Sequence, residues 1–291
     1  MIGIGVAVVI VLLGGAEWIA ESIPNSYVYK REYMETHGGE IKTLILGSSN
    51  AYDGLNPSEL PAAFNLANSS QTLEDDYRLL AKYIDGMDSL KTVILGLGYH
   101  SLGEAQETHR RTYYTIYMDL YPRWPISKNS FEVFNLELLT KKIIKYAVSR
   151  DVTRCDSLGQ RLGHTREAAE NGDEFWNKDV ESLVDNDRWE ISDFKFQISN
   201  VQSQMSAIAD LCQAHGVTMV VVQMPVMKAY KEMLSKEQVM MQDSVLRALD
   251  GKAVYINASE WDIPEDGWYN ATHLTREASA EFTKKLMAVF D

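Results

Sequence analysis

Apolar positions along this 291-residue chain follow two rhythms. Short, nearly continuous apolar runs, IKTLILG at 41–47, KTVILGLG at 91–98, VTMVVVQMP at 217–225 and AVYINA at 253–258, read as buried strands because each is short and bounded by turn residues. AFNLA at 63–67 is a fifth, shorter run of the same kind. Between the runs, apolar residues recur every three or four positions. Leu73, Tyr77, Leu80 and Ile84 predict a helix that Thr72 caps, with Asp75 completing a capping box and Gly86 ending it. Phe194, Ile198, Val201, Met205, Ile208 and Cys212 predict a second helix, closed by Gly216. Ala278, Phe282, Leu286 and Val289 predict the last one, beginning after Thr275. Continuous apolar strands alternating with helices imply a mostly parallel sheet covered on both faces. The expected class is therefore α/β: a flavodoxin-like three-layer sandwich around a central, mostly parallel five-stranded sheet.

Two stretches depart from that alternation. Residues of about 101–192 combine an aromatic tract (RRTYYTIYMDLYPRWP), an amphipathic helical pattern (FEVFNLELLTKKIIKYAV) and a polar tail. They read as an insertion at the carboxyl end of the third strand, where open α/β sheets bind ligands, and either shape a substrate site or pack on themselves. The other departure is at the start. Residues 2–16 carry no charge and span roughly 22 Å as a helix; continuing to Ala20 gives roughly 28 Å, near the thickness of a bilayer core, with Trp18 suited to the interface. Residues 1–20 are thus expected to be a transmembrane anchor or a signal segment, a buried helix being the third reading. Residues 21–40 then form a linker, and 41–291 the domain. An anchor would hold the domain outside the cytoplasm, and cleavage would release it as a secreted protein.

Charge narrows the partners. With 28 Lys and Arg against 41 Asp and Glu, the formal charge of -13 opposes nucleic-acid binding, which requires a basic surface. Two cysteines, Cys155 and Cys212, give no disulfide framework, and Cys212 falls on the apolar face of its helix. There is no phosphate-binding GxxxxGK, no HExxH and no Cys/His cluster, so no cofactor or metal is implied.

The candidate chemistry lies at the ends of the core. The first strand runs into GSSNAYDG, placing Ser48 and Ser49 at the sheet's carboxyl edge. A serine hydroxyl there is inert until a base takes its proton and a third group orients that base. Of the six histidines, His273 in WYNATHLT, just before the last helix, is the best placed; His37, His109, His164 and His215 are less so, and His100 follows the third strand.

Taken together, the blocks resemble the SGNH (GDSL-like) hydrolase superfamily over about 42–99 and again over about 217–290. Gly47, Ser48 and Ser49 stand where that family has Gly-Asp-Ser, and Asn270-Ala-Thr-His273 where it has Asp-x-x-His. NLANSSQT is similar to the block carrying the family's oxyanion glycine, with Ser70 in its place, and GLGYHS puts His100 where the family has an asparagine. The resemblance implies Ser49 as nucleophile, His273 as base and Asn270 as its orienting partner. It implies an oxyanion hole from Ser49, Ser70 and His100. Asn270 supplies only the orienting half of what an aspartate does, and Asp262 or Asp266, in the same stretch, could supply the charge. What the family implies with an N-terminal anchor is an esterase or O-acyltransferase of cell-envelope polysaccharide. Its partners would be an acyl ester donor and a carbohydrate acceptor or substrate, with the membrane engaged through the N-terminal helix. The substituted blocks fit a second reading as well, a catalytically inactive glycan-binding or envelope-complex protein of the same fold.

Overall fold

The computed structural model describes residues 2–99, 101, 108–150, 152–167, 180, 184, 191–247, 249 and 251–290. The chain divides into two compact units, one comprising Met1–Thr36 and Gln106–Arg154, the other His37–Ala105 and Cys155–Asp291. The segment at 101–192, expected to act as one insertion, is therefore shared between them.

The larger unit is built on five parallel strands: β1 (Thr43–Gly47), β2 (Ala63–Asn65), β3 (Thr92–Leu97), β4 (Thr218–Gln223) and β5 (Val254–Asn257), in the order β2-β1-β3-β4-β5. Their continuous apolar runs are explained by burial, since every residue of β1 and β2 is buried, and Val220, Val221 and Val222 of β4 are at most 1% exposed. Helices flank the sheet, as the alternation predicts. Thr72 caps α4 (Leu73–Tyr83) through both bonds of the expected capping box, its hydroxyl accepting from Asp75 N–H and the Asp75 carboxylate accepting from Thr72 N–H. In α7 (Ile191–Ala214), the described part of the apolar stripe, Val201, Met205, Ile208 and Cys212, is buried. Short helices α8 (Lys228–Met233) and α9 (Lys236–Arg247) follow β4. The closing helix α10 (Arg276–Phe290) buries Ala278, Phe282 and Leu286, whereas Val289 is exposed.

Two local elements were not expected. The polar stretch after β1 is a short helix, α3 (Ser49–Gly54), and the approach to α10 is a small antiparallel hairpin of β6 (Trp268–Asn270) and β7 (His273–Leu274). Gly47 and Gly96, paired in register across β1 and β3, allow α3 to lie close to the sheet. A Cβ on Gly96 would come within 2.8 Å of the Ala51 Cβ, and one on Gly47, whose φ is +123°, within 2.2 Å of the Gly96 carbonyl oxygen.

The smaller unit holds α1 (Ile2–Ser22), α2 (Ser26–His37), α5 (Thr108–Ile116), a 3-10 turn at Glu132–Phe134 and α6 (Leu136–Ser149). Residues 21–40, read as a linker, thus contain a helix. Part of the aromatic tract lies in this unit's interior: Tyr27 of α2 packs on Tyr113 and Tyr114 with ring centroids 5.3 and 5.2 Å away, and Tyr114 and Tyr117 are buried, whereas Trp124 near the end of the tract is exposed. Among the described residues no single helix is long and apolar enough to cross a membrane. The pair Ala7–Ser22 and Ser26–Glu40, bent by 62°, passes on length and composition alone.

Candidate active site

The first turn of α3 begins where β1 ends, so Ser49 stands at the carboxyl edge of the sheet. Three side-chain contacts fix the turn. Asn50 Nδ2 donates to the Thr272 carbonyl at 2.6 Å, joining the turn to the hairpin. At its other end Asn65 Nδ2 donates to the carbonyls of Ala51 and Leu55, each at 3.0 Å, a second bond for Ala51, whose oxygen also accepts from Leu55 N–H, and a partner for the Leu55 carbonyl just past the helix end.

That placement brings Ser49 and His273, 224 residues apart, into contact: Ser49 Oγ lies 2.8 Å from His273 Nε2. On the other side of the imidazole, Nδ1 is 2.9 Å from Asn270 Oδ1 and 3.0 Å from Thr272 Oγ1. The Asn270 oxygen also accepts from the backbone N–H groups of Thr272 and His273, both at 3.0 Å, so its amide cannot easily turn over. An acceptor pinned at Nδ1 puts the ring proton there and leaves Nε2 free to accept from the serine hydroxyl. The arrangement can take a proton from Ser49.

The oxyanion candidates are placed as follows. Helix geometry leaves the Ser49 N–H, in the first turn of α3, without an intrahelical partner. Asn68 N–H donates to the Gly47 carbonyl at 3.3 Å, which lays the loop carrying Ser70 over the end of β1. Ser70 has φ +53°, in the left-handed region that glycine adopts most readily, and glycine is the residue the resemblance puts there. His100 lies outside the described residues.

The acidic residue near the imidazole is neither of the two expected. Asp266 pairs with Arg166 at 3.2 Å, and Asp262 lines a cleft of about 660 Å³ between the segments that follow β4 and β5, together with Val226, Met227, Trp261, Ile263 and Trp268. The carboxylate that approaches His273 is Asp53, its Oδ2 3.8 Å from Nε2. Asp53 sits four residues after Ser49 in α3, and the helical repeat sets both on one face. It is fully buried, beside Arg161 at 3.3 Å and His164 Nδ1 at 3.3 Å. Burial alone would raise its pKa, but the charges of Arg161, His164 and His273 outweigh that and hold the carboxyl below its usual range.

Asp53 and Arg161 went unnamed in the sequence reading and His164 was set below His273, so Arg161 and His164 had no role there. Both come from 155–167, which the hydrogen bond from Asn65 N–H to the Leu158 carbonyl (2.9 Å) fastens beside β2. Arg161 reaches Ser69 Oγ as well, at 3.3 Å, and His164 stacks on Tyr269 with ring centroids 3.8 Å apart and planes 8° from parallel. The i,i+4 spacing of Ser49 and Asp53 was the only signal in the sequence for any of them. Among the described residues, no three His, Cys, Asp or Glu side chains are arranged to hold a metal ion.

No protein-family model matches the sequence, and no curated protein does. Among solved structures, one provisionally described as a platelet activating factor from Streptococcus pneumonia aligns over 99% of this chain and 99% of its own, at 9% identity and a TM-score of 0.42. Another, provisionally described as an acylhydrolase from Bacteroides fragilis, aligns over 94% and 93%, at 6% identity and a TM-score of 0.40. At those values neither bears on the function of this chain.

Proposed function

We propose that this chain is an SGNH-like serine esterase or O-acyltransferase that acts through an acyl-enzyme on Ser49. The observation that carries the reading is the unbroken series Ser49 Oγ, His273 Nε2, His273 Nδ1 and Asn270 Oδ1, at 2.8 and 2.9 Å. Its support is geometric: hydrogen-bond reach between nucleophile and base is the first requirement of general-base catalysis.

In this reading Ser49 Oγ attacks the ester carbonyl carbon as its proton passes to His273 Nε2. The carbonyl π bond breaks to leave an oxyanion, held by the amides of Ser49 and Ser70 with His100. Collapse expels the alcohol, which takes the proton from Nε2, and leaves Ser49 acylated. Water, or a sugar hydroxyl, then gives its proton to Nε2 and attacks the acyl carbon; the acyl–Oγ bond breaks, Ser49 Oγ takes that proton back from Nε2, and the acid or a new ester is released. The buried Asp53 supplies the negative charge that Asn270 lacks, stabilising the imidazolium formed in each half-reaction.

The substrate class we infer is an acyl ester of cell-envelope polysaccharide, with α1 as a membrane anchor and the larger unit outside the cytoplasm. The cleft walled by Trp261, Trp268 and Ile263 offers aromatic and apolar surface of the kind a sugar ring or acyl chain contacts. It joins the site through the hairpin, because Met227 N–H donates to the Ala271 carbonyl at 2.8 Å.

The test uses a fluorophosphonate probe and an activated acyl ester, with and without an oligosaccharide acceptor. We expect Ser49 to be labelled, and Ser49→Ala to lose both labelling and at least about 10³-fold of the turnover while keeping its thermal midpoint. An unlabelled Ser49 in a folded chain that binds oligosaccharide would overturn the enzyme reading in favour of a binding protein. Acyl transfer seen only with acceptor present identifies the transferase.

A further inference from the structure

The smaller unit exposes what a protein interior normally hides. Of the large hydrophobic side chains that are exposed among the described residues, sixteen belong to this unit and six to the larger one. Seven of the sixteen lie on α1 between Ile4 and Leu13, but the others are not scattered. Contiguous patches of that extent on a soluble domain mark an interaction surface.

Three tethers gather them around the carboxyl end of α1. The Glu17 carboxylate, turned inward, accepts from the N–H groups of Glu132 and Val133 at 3.0 and 2.9 Å, and the next residue, Phe134, is exposed. Glu21 pairs with Arg123 at 2.8 Å, and the next residue, Trp124, is 75% exposed. The Ala20 carbonyl accepts from Lys142 Nζ at 2.9 Å, and the next two residues, Ile143 and Ile144, are exposed. On α6 the inward edge is Leu139 and Lys142, so Leu136, Ile144 and Val148 face outward, on a face they share with the exposed Glu137–Lys141 ion pair. Lys142 is hidden while Ile144 and Val148 are shown, the reverse of what an amphipathic helix in water favours at those positions, although Lys141 and Lys145 are exposed beside them. Trp18, 73% exposed one turn before Ser22, completes the ring.

Charge points to the occupant. This unit has eleven Lys and Arg against nine Asp and Glu, a net of +2, which leaves -15 for the remainder of a chain whose total is -13. The apolar collar thus belongs to the one part of the molecule that a negatively charged surface does not repel. It is continuous with an apolar helix, and it carries two tryptophans at that helix's end, the position where indoles favour the boundary between headgroups and acyl chains.

We propose that the collar is a membrane-docking surface on which α6 lies in the plane of an anionic bilayer, with Trp18, Trp124, Phe134, Ile144 and Val148 seated at the headgroup–acyl boundary. The proposal rests on the reading of α1 as a membrane anchor and adds a second, interfacial contact to it.

The test places an environment-sensitive dye on the full chain at Trp124→Cys, Val148→Cys or, as a report on α1, Val9→Cys. Cys155 and Cys212 are buried, and burial pushes the Cys212 thiol up to about 12, so labelling is confined to the introduced site. In vesicles of phosphatidylcholine and phosphatidylglycerol we expect a blue shift at 124 and 148, with severalfold stronger quenching by nitroxide lipids than by aqueous iodide. If the Val9→Cys dye is lipid-quenched while both collar dyes respond to iodide alone, the collar proposal falls and the anchor stands. If all three respond to iodide alone, both fall. Energy transfer between labelled copies that rises with protein concentration, without lipid quenching, would assign the surface to a second copy of this chain and overturn the proposal.

Discussion

In the proposed mechanism Asn270 and Asp53 divide between them the two parts, orienting the ring and supplying charge, that one aspartate plays in a Ser-His-Asp triad. The amide oxygen of Asn270 fixes the ring at 2.9 Å, and the Asp53 carboxylate stands 3.8 Å from the opposite nitrogen. At an effective dielectric constant of about 20, opposite charges about 4 Å apart attract by about 4 kcal/mol, and Arg161 at 3.3 Å from Asp53 cancels part of that. Asp53→Asn should therefore lower kcat by about 10- to 100-fold, some 1.4–2.7 kcal/mol, with KM little changed. Asn270→Asp should raise esterase activity, but by much less than the ~10⁴ that an orienting aspartate is worth where no other carboxylate is near. A full 10⁴ gain would mean that Asp53 contributes nothing. Asp53 also makes stability depend on pH. Its carboxyl titrates lower folded than unfolded, so the stabilisation is complete above the ordinary value of about 3.9 and is lost as pH falls below that towards the folded value. The wild-type thermal midpoint should fall on acidification below about pH 4, and that component should be absent from Asp53→Asn.

Between residue and molecule, the short helix α3 carries Ser49, the proposed nucleophile, and the buried Asp53 on one turn, close against Gly96. Gly96→Ala would put a methyl group 2.8 Å from Ala51 Cβ and 3.3 Å from Met224 Sδ, and α3 has to lift to admit it. We expect a loss of about 1–3 kcal/mol in stability by thermal or denaturant melting, and a larger proportional loss of turnover as Ser49 moves from His273. The strands and α4 were legible in the sequence because their signals are local: an unbroken apolar run, or a Thr and an Asp three residues apart. α3 was not, since Ser49, Asn50, Asp53 and Gly54 are residues that more often make turns. Nor was the β6–β7 hairpin, whose strands of three and two residues are too short to show an alternation. Ser49 and His273 were found by resemblance, while Arg161 and His164 had no signal, because the bonds that bring their segment beside β2 join residues about ninety apart in the sequence.

On the scale of the whole chain, periodicity gave the five-stranded sheet but not the division into units. Nothing along the sequence says that 106–154 belongs with the first 36 residues, a grouping made by contacts such as Tyr27 on Tyr113 and Glu17 on Val133. The division separates charge as well, and the unit that holds Ser49 has a net of -15. Electrolyte should consequently act as a selector among substrates. A polyanionic ester approaches against a field that dissolved ions damp over about 10 Å at 0.1 M, so its kcat/KM should climb with added sodium chloride. A cationic, amino-bearing ester should show the reverse slope, and an uncharged one should stay level, which makes ionic strength a means of sorting candidate ester substrates by their sign.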